Sequence, residues 1–254
     1  MRSTLRGMAL GALCALVVAL VSASPVAAQP FDIKEPDFKK GETTLGSING
    51  VQGTLRQAPG DAPTGAYELE AGYGVTDWLK ITGHVHLENA YRSHLRATHV
   101  TLESLVKFRG TDQGGFGLAW FTAIEGGTTQ DATNRVFFGP IAQIAAGPWR
   151  FTVNPIFEQT FGRNREDGIA LVYGWQSKLE VQKGVSIALE GFGHIPDLGN
   201  APSVAEQEHR IGPALYLETE IAKDRTVTVS LGVLAGLTRA TPDHALKFNV
   251  GLAY

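Results

Sequence analysis

From about Glu42 to Tyr254 the chain alternates apolar and polar residues, in segments of about 9–13 residues parted by Gly, Asp, Asn and Pro clusters. Tyr67, Leu69, Ala71 and Tyr73 alternate with Glu68, Glu70 and Gly72, and Leu79, Ile81, Val85 and Leu87 with Lys80, Thr82, His84, His86 and Glu88. A period of two puts each set on one face of a β-strand. The same split recurs to the end of the chain, and with weaker segments near 42–51, 136–145 and 185–195 it predicts about twelve strands. No apolar run reaches the roughly 18–20 residues of a membrane helix.

A soluble sandwich alternates too, so the composition of the two faces has to separate the possibilities. A water-facing sheet carries dense Lys, Glu and Arg, yet charged residues make up only 19% of this chain, and the polar face is rich in Gly, Ala, Thr, Asn and Gln. The apolar face carries many aromatics. An aqueous lumen inside a lipid-facing exterior accounts for both, so the fold class is all-β: a transmembrane antiparallel β-barrel of about twelve strands. Open sheet edges cannot face hydrocarbon, because each unpaired backbone group costs several kcal/mol, so the first and last strands must pair. Links after the even strands are short and links after the odd strands longer, the pattern of short periplasmic turns and longer extracellular loops with both termini in the periplasm. Trp78, Trp149, Phe151 and Tyr254 near one end, and Tyr91 and Phe161 near the other, suit two aromatic girdles. Pro140, Pro155 and Pro213 fall inside strands, where bulges or strand ends are expected.

Residues 1–28 have the form of a secretory signal: Arg2 and Arg6, an apolar run from Met8 to Val21, and Val26, Ala27 and Ala28 before a cut ahead of Gln29. The only cysteine, Cys14, and both methionines, Met1 and Met8, lie within it, so the exported chain is expected to have no disulfide and no thiolate metal site. Residues 29–41 are charged, carry two prolines and show no sustained period; they read as a periplasmic N-terminal tail ahead of a barrel over 42–254. The net charge of −3 argues against a nucleic-acid surface.

At the C-terminus Leu246, Phe248, Val250, Leu252 and Tyr254 alternate strictly and end on an aromatic. This resembles the assembly signal of bacterial outer-membrane β-barrels, and the resemblance implies a bacterial outer-membrane location, with the barrel-assembly machinery and outer-membrane lipids as partners. The stretch "AGYGVTDWLKI" resembles the strand–turn–strand signature of barrels linked with the meta-pathway of phenol degradation. That resemblance implies aromatic uptake and carries over no functional residue.

His84, His86 and Glu88 on one strand and His99 and Glu103 on the next point to one face. Pairing with indices summing to 183 sets His84 against His99 and Lys80 against Glu103, and the turn at Thr76 and Asp77 brings Glu68 or Glu70 opposite His84. We read the group as a polar lumen wall whose ion pairs hold strand register. Its donors would also suit Zn²⁺, the weaker reading, and neither a resident metal nor a cofactor is expected. Arg150, Glu158, Lys178, Glu180, Arg210, Glu218 and Lys247 complete the lumen-lining candidates, which tune a pore or brace a closed barrel. No motif marks a catalytic residue; Ser93 and His94 are adjacent on a loop, and neighbours rarely serve one triad. The expected function is passage or binding of a small solute through a polar lumen, with a non-conducting structural or surface-binding barrel, or a lipid-modifying hydrolase, as alternatives.

Overall fold

The computed structural model describes residues 31–53, 64–89, 95–130 and 132–254. Twelve strands form one closed antiparallel barrel in which each strand pairs with its chain neighbours and the first closes on the last. They are β1 (Thr43–Gly53), β2 (Thr64–Gly74), β3 (Leu79–Asn89), β4 (Arg96–Arg109), β5 (Phe116–Gly127), β6 (Asn134–Ala146), β7 (Trp149–Phe161), β8 (Ala170–Gln182), β9 (Val185–Ile195), β10 (Glu208–Ala222), β11 (Arg225–Gly236) and β12 (His244–Ala253). Closure runs from Thr44↔Ala253 to Gly53↔His244, which leaves no strand edge for lipid to meet. No described helix is long and apolar enough to cross a membrane.

Links after the even strands are two to six residues and links after the odd strands six to twelve, so the barrel has a turn end and a loop end. The tightest turns need a left-handed residue, supplied by Gly147, Gly184 and the non-glycine Asp224 (φ 57°). Apolar side chains face outward all round the barrel: Leu69, Leu102, Phe108, Ile124, Ile144 and Val233 are all more than half exposed. Such a continuous apolar surface requires a lipid environment. Trp78, Trp149, Phe151 and Tyr254 are exposed at the turn end and Phe161 at the loop end; Tyr91, Ser93, His94 and the 1–28 segment lie outside the described residues.

The three strand prolines produce neither bulge nor strand end. Pairing of β6 with β7 passes from Phe138↔Phe157 to Ala142↔Val153 in one register, and β10 with β11 from Ile211↔Ala235 to Ala214↔Gly232 likewise. Glycines beside the prolines let the backbones approach: a Cβ on Gly139 would lie 2.2 Å from the Pro155 carbonyl oxygen, and one on Gly212 1.8 Å from that of Val233. Register slips occur elsewhere, at His86/Leu87 and Lys107/Arg109 and close to two of the tight turns.

Residues 31–41, expected as a tail, lie inside the barrel. The segment enters at the turn end, where the Gly41 N–H donates to the Gly74 carbonyl (2.7 Å), and reaches the middle of the lumen. Phe38 packs with Leu105, Ala119, Phe121 and Ile141, while Phe31 and Ile33 pack with Phe192, Leu234 and Ala245. Leu105, Phe121, Ile141, Ile156, Phe192 and Leu234 occupy lumen-facing positions, so the lumen wall carries two apolar patches that this segment covers. Each fully buried Phe stabilises docking by about 1.5–3 kcal/mol. Backbone polar groups find partners as well: Asn154 donates to the Lys34 carbonyl (2.9 Å) and accepts from the Lys34 N–H (2.7 Å), in the manner of a strand pair. Asn249 donates to the Phe31 carbonyl and Lys107 to that of Phe38. The sequence reading missed this because a dozen residues with two prolines show too short an alternation, Phe31 and Ile33 against Asp32 and Lys34, to be distinguished from a loop.

Candidate functional site: the acid-rich lumen

Strands β2, β3 and β4 set the main polar cluster. Glu70 lies opposite His84 and Glu68 opposite His86, as the turn between β2 and β3 suggested. Between β3 and β4 the indices sum to 185 rather than 183, so His86 faces His99, His84 faces Thr101 and Thr82 faces Glu103. A two-residue difference keeps every side chain on its face, which is why alternation could not detect it. The lumen grouping stands with different partners.

His84 sits between two carboxylates, its Nδ1 on Glu68 Oε1 and its Nε2 3.0 Å from Glu103 Oε2. That second contact is close but does not meet hydrogen-bond geometry, leaving Nε2 without a hydrogen-bond partner. His86 reaches Glu68 Oε2 (3.4 Å), Thr101 Oγ1 (3.0 Å) and Glu125 Oε2 (3.4 Å). Glu125 then pairs with Arg135 (2.7 Å), and Arg135 Nε with Glu158 (3.1 Å). One ribbon of ion pairs and hydrogen bonds thus crosses six strands, from β2 to β7. Burial makes each link depend on the next, because a buried carboxylate without a partner is costly.

Into this ribbon the docked segment inserts a cation. Lys34 Nζ lies 3.0 Å from Glu103 Oε2, 3.2 Å from Asp32 Oδ2 and 3.9 Å from Glu70 Oε2. Burial alone would lower its pKa, but Glu103, then Asp32 and Glu70, more than offset that and hold it well above the usual lysine value. Lys34 is cationic throughout the neutral range. Glu68, Glu70 and His84 also offer ligand atoms within 4.8 Å of one another, the spacing a metal ion would need.

On the opposite wall Lys247, Glu190, Tyr216 and Gln176 form a second network. Gln176 Nε2 donates to Glu190 Oε1 (2.7 Å) and to the Tyr216 hydroxyl (2.8 Å), and Lys247 Nζ donates to both Glu190 Oε2 (2.7 Å) and Tyr216 (3.1 Å). Lys178 pairs with Glu35 of the segment (2.5 Å), and Arg210 pairs with Glu208 while stacking over the Phe31 ring at 4.9 Å.

Of the remaining candidates, Lys80, Arg150, Glu180 and Glu218 occupy lumen-facing positions near the turn end, the last three exposed. Glu88 and Glu158 line the loop-end vestibule. Phe248, Val250 and Leu252 are on the outer face of β12, and Tyr254 follows its end, exposed. Sequence reasoning did not single out Asp32, Lys34, Glu125, Arg135, Gln176 or Tyr216. Glu125 and Arg135 were findable as opposite charges flanking one hairpin, which the register pairs directly; Lys34 carried no such signal.

Above the segment the lumen opens into a cavity of about 390 Å³. Among the described residues its lining holds eight carboxylates against two permanent cations, Lys34 and Arg135, together with four histidines. The potential inside is negative, and a low-dielectric wall concentrates it.

No family model matches the chain, and no curated protein does. Solved structures do. An outer-membrane channel from Pseudomonas putida superposes with a TM-score of 0.61 at 14% identity, over 89% of this chain and 99% of that one. The NanC porin superposes with a TM-score of 0.54 at 10% identity, over 84% and 98%. The KdgM porin in complex with disordered oligogalacturonate reaches 0.50 at 10% identity over the same shares. At these identities the likeness is one of fold: the chain has the twelve-stranded barrel architecture of outer-membrane channels and porins.

Proposed function

We propose that this protein resides in a bacterial outer membrane, turn end toward the periplasm, and admits small polar solutes, cations preferred, from the loop end into its lumen. The carrying observation is the 390 Å³ vestibule, acid-rich and set within a closed barrel whose outer surface is apolar. The fold shared with outer-membrane channels supports it. The leader over 1–28, the C-terminal alternation as a signal to the assembly machinery, and the fifteen lumen candidates as solute-contacting groups belong to the same reading. No chemical step is assigned; the polar groups pair with one another as a wall does. Planar-bilayer recording of the refolded mature chain tests it: discrete steps with a reversal potential on the cation side of a KCl gradient are expected, and equal permeability to K⁺ and Cl⁻ at low salt contradicts the preference.

The packing of residues 31–41 across the lumen favours a second reading, a barrel that does not conduct. A chain that stays electrically silent both intact and with residues 31–41 deleted, while migrating as a folded heat-modifiable barrel, supports that reading and removes the first.

A further inference from the structure

We propose that the vestibule is the seat of the chain's own mature amino terminus, with the α-ammonium at residue 29 held among its carboxylates, and that residues 31–41 dock only once residues 1–28 are gone. The inference rests on the proposed cut ahead of Gln29 and goes beyond solute passage. Its ground is where the docked segment ends. The segment rises from the turn end, where Gly41 meets Gly74, and Phe31 and Asp32 line the cavity. Phe31 packs with Phe192, Leu234 and Ala245, which stand fourth, third and second from the loop end of β9, β11 and β12. Chain ahead of Phe31 therefore sets out from inside the barrel.

Length decides how much chain the vestibule can take. Residues 29 and 30 extend at most about 7 Å beyond Phe31, and the cavity wall reaches Glu208, the first residue of β10, and Glu88, the last but one of β3. Two residues thus end within the vestibule. Residues 1–30 do not fit in about 390 Å³, so a chain with its leader attached either threads that leader out through the loop end or leaves 31–41 undocked. Threading would lay the apolar run from Met8 to Val21 in an acid-lined aqueous lumen, which the hydrophobic effect opposes. Charge agrees with the shorter occupant. An amino terminus ordinarily titrates near 7.7–8.0, so at neutral pH it is largely cationic. Lys34 and Arg135 are already engaged with Glu103 and Glu125, whereas Glu88 and Glu166 on the same lining take part in no ion pair among the described residues.

The test is tagging of a cysteine at the amino terminus with a polyethylene-glycol maleimide too bulky to enter the lumen, read by gel shift; the leader holds the chain's only cysteine, so no other thiol competes. In the refolded chain beginning at residue 29, Gln29→Cys is expected to be tagged at least ten-fold more slowly than in urea, and Lys40→Cys, exposed at the turn end, at a similar rate in both. Trypsin should cut the refolded chain 1–254 after Lys34 and leave the chain beginning at residue 29 intact there. With Gln29→Ser, which cannot cyclise onto its own amine, reductive methylation and ¹³C NMR should show the α-amine titrating at least one unit higher in the barrel than in urea. Equal tagging of Gln29→Cys in barrel and urea, protection of Lys34 in both chains, or an unshifted amine overturns the proposal. Intact mass of the exported chain reads the cut itself: a start well ahead of residue 29 sinks the leader reading and this proposal together, while free tagging of the chain made to begin at residue 29 sinks this proposal alone.

Discussion

Lys247 and Glu190 meet over the lumen wall, Nζ to Oε2 at 2.7 Å, with neither side chain exposed. Lys247 is on β12 and Glu190 on β9, so the pair spans the two strands between them. The route is cleared by small residues: Lys247 is in register with Gly232 and Gly232 with Ala214, and a Cβ on Gly232 would lie 2.8 Å from Lys247 Cγ. A lysine stem laid over a glycine and an alanine reaches a carboxylate that a larger neighbour would block.

Breaking that pair from one side strands a buried charge. Lys247→Met should destabilise the refolded barrel by about 3–5 kcal/mol in urea unfolding, and Lys247→Met with Glu190→Gln should recover much of the loss. A single variant within about 0.5 kcal/mol of the unaltered chain would show that the pair contributes nothing.

Gly232→Leu closes the trough. Overpacking of this kind costs about 1–3 kcal/mol, read in the same unfolding assay, whereas Gly83→Ala, whose new Cβ meets nothing within 4 Å, is expected to be near neutral. Equal effects at the two sites would refute the steric account.

Docking of residues 31–41 predicts protease protection. Lys34 is held inside, and Phe38 is 6% and Phe31 1% exposed. Truncating either Phe to Ala removes about 3–5 kcal/mol of packing, and trypsin should then cut after Lys34 in the double variant while leaving the unaltered chain intact there. Mass spectrometry of the fragments decides; cleavage after Lys34 at the same rate in both would place the segment outside the lumen.

The cation preference of the vestibule should fade with salt. Exposed charges are screened over about 10 Å at 0.1 M and about 3 Å at 1 M, so the reversal potential should move toward zero as KCl rises. Glu88→Gln, at the half-exposed loop end, should lower the preference at low salt and leave folding intact. A preference unchanged by salt and by this substitution would locate selectivity elsewhere.

Much of the site was legible because alternation is a local property. Glu68, His84, Glu103 and Lys247 each stand at an odd step from an outward Leu or Val, so their shared inward face follows from position in the strand alone. Their partners do not follow. The slip from 183 to 185 between β3 and β4 preserves both faces while exchanging His99 for Thr101 opposite His84, and Lys247–Glu190 joins residues whose strands are not neighbours.

Alternation, turn residues and the need to leave no edge in lipid were enough to determine a closed twelve-stranded barrel, which face is wet, and where the acids gather. Only the tertiary structure decided what fills the lumen. Phe31, Ile33, Lys34 and Phe38 lie in a stretch whose alternation is too short to mark a strand; they find their place because a closed barrel presents apolar patches at Phe192 and Leu105 and carboxylates at Glu70 and Glu103. Those surfaces come into being when distant strands close round a common axis, which no local period encodes.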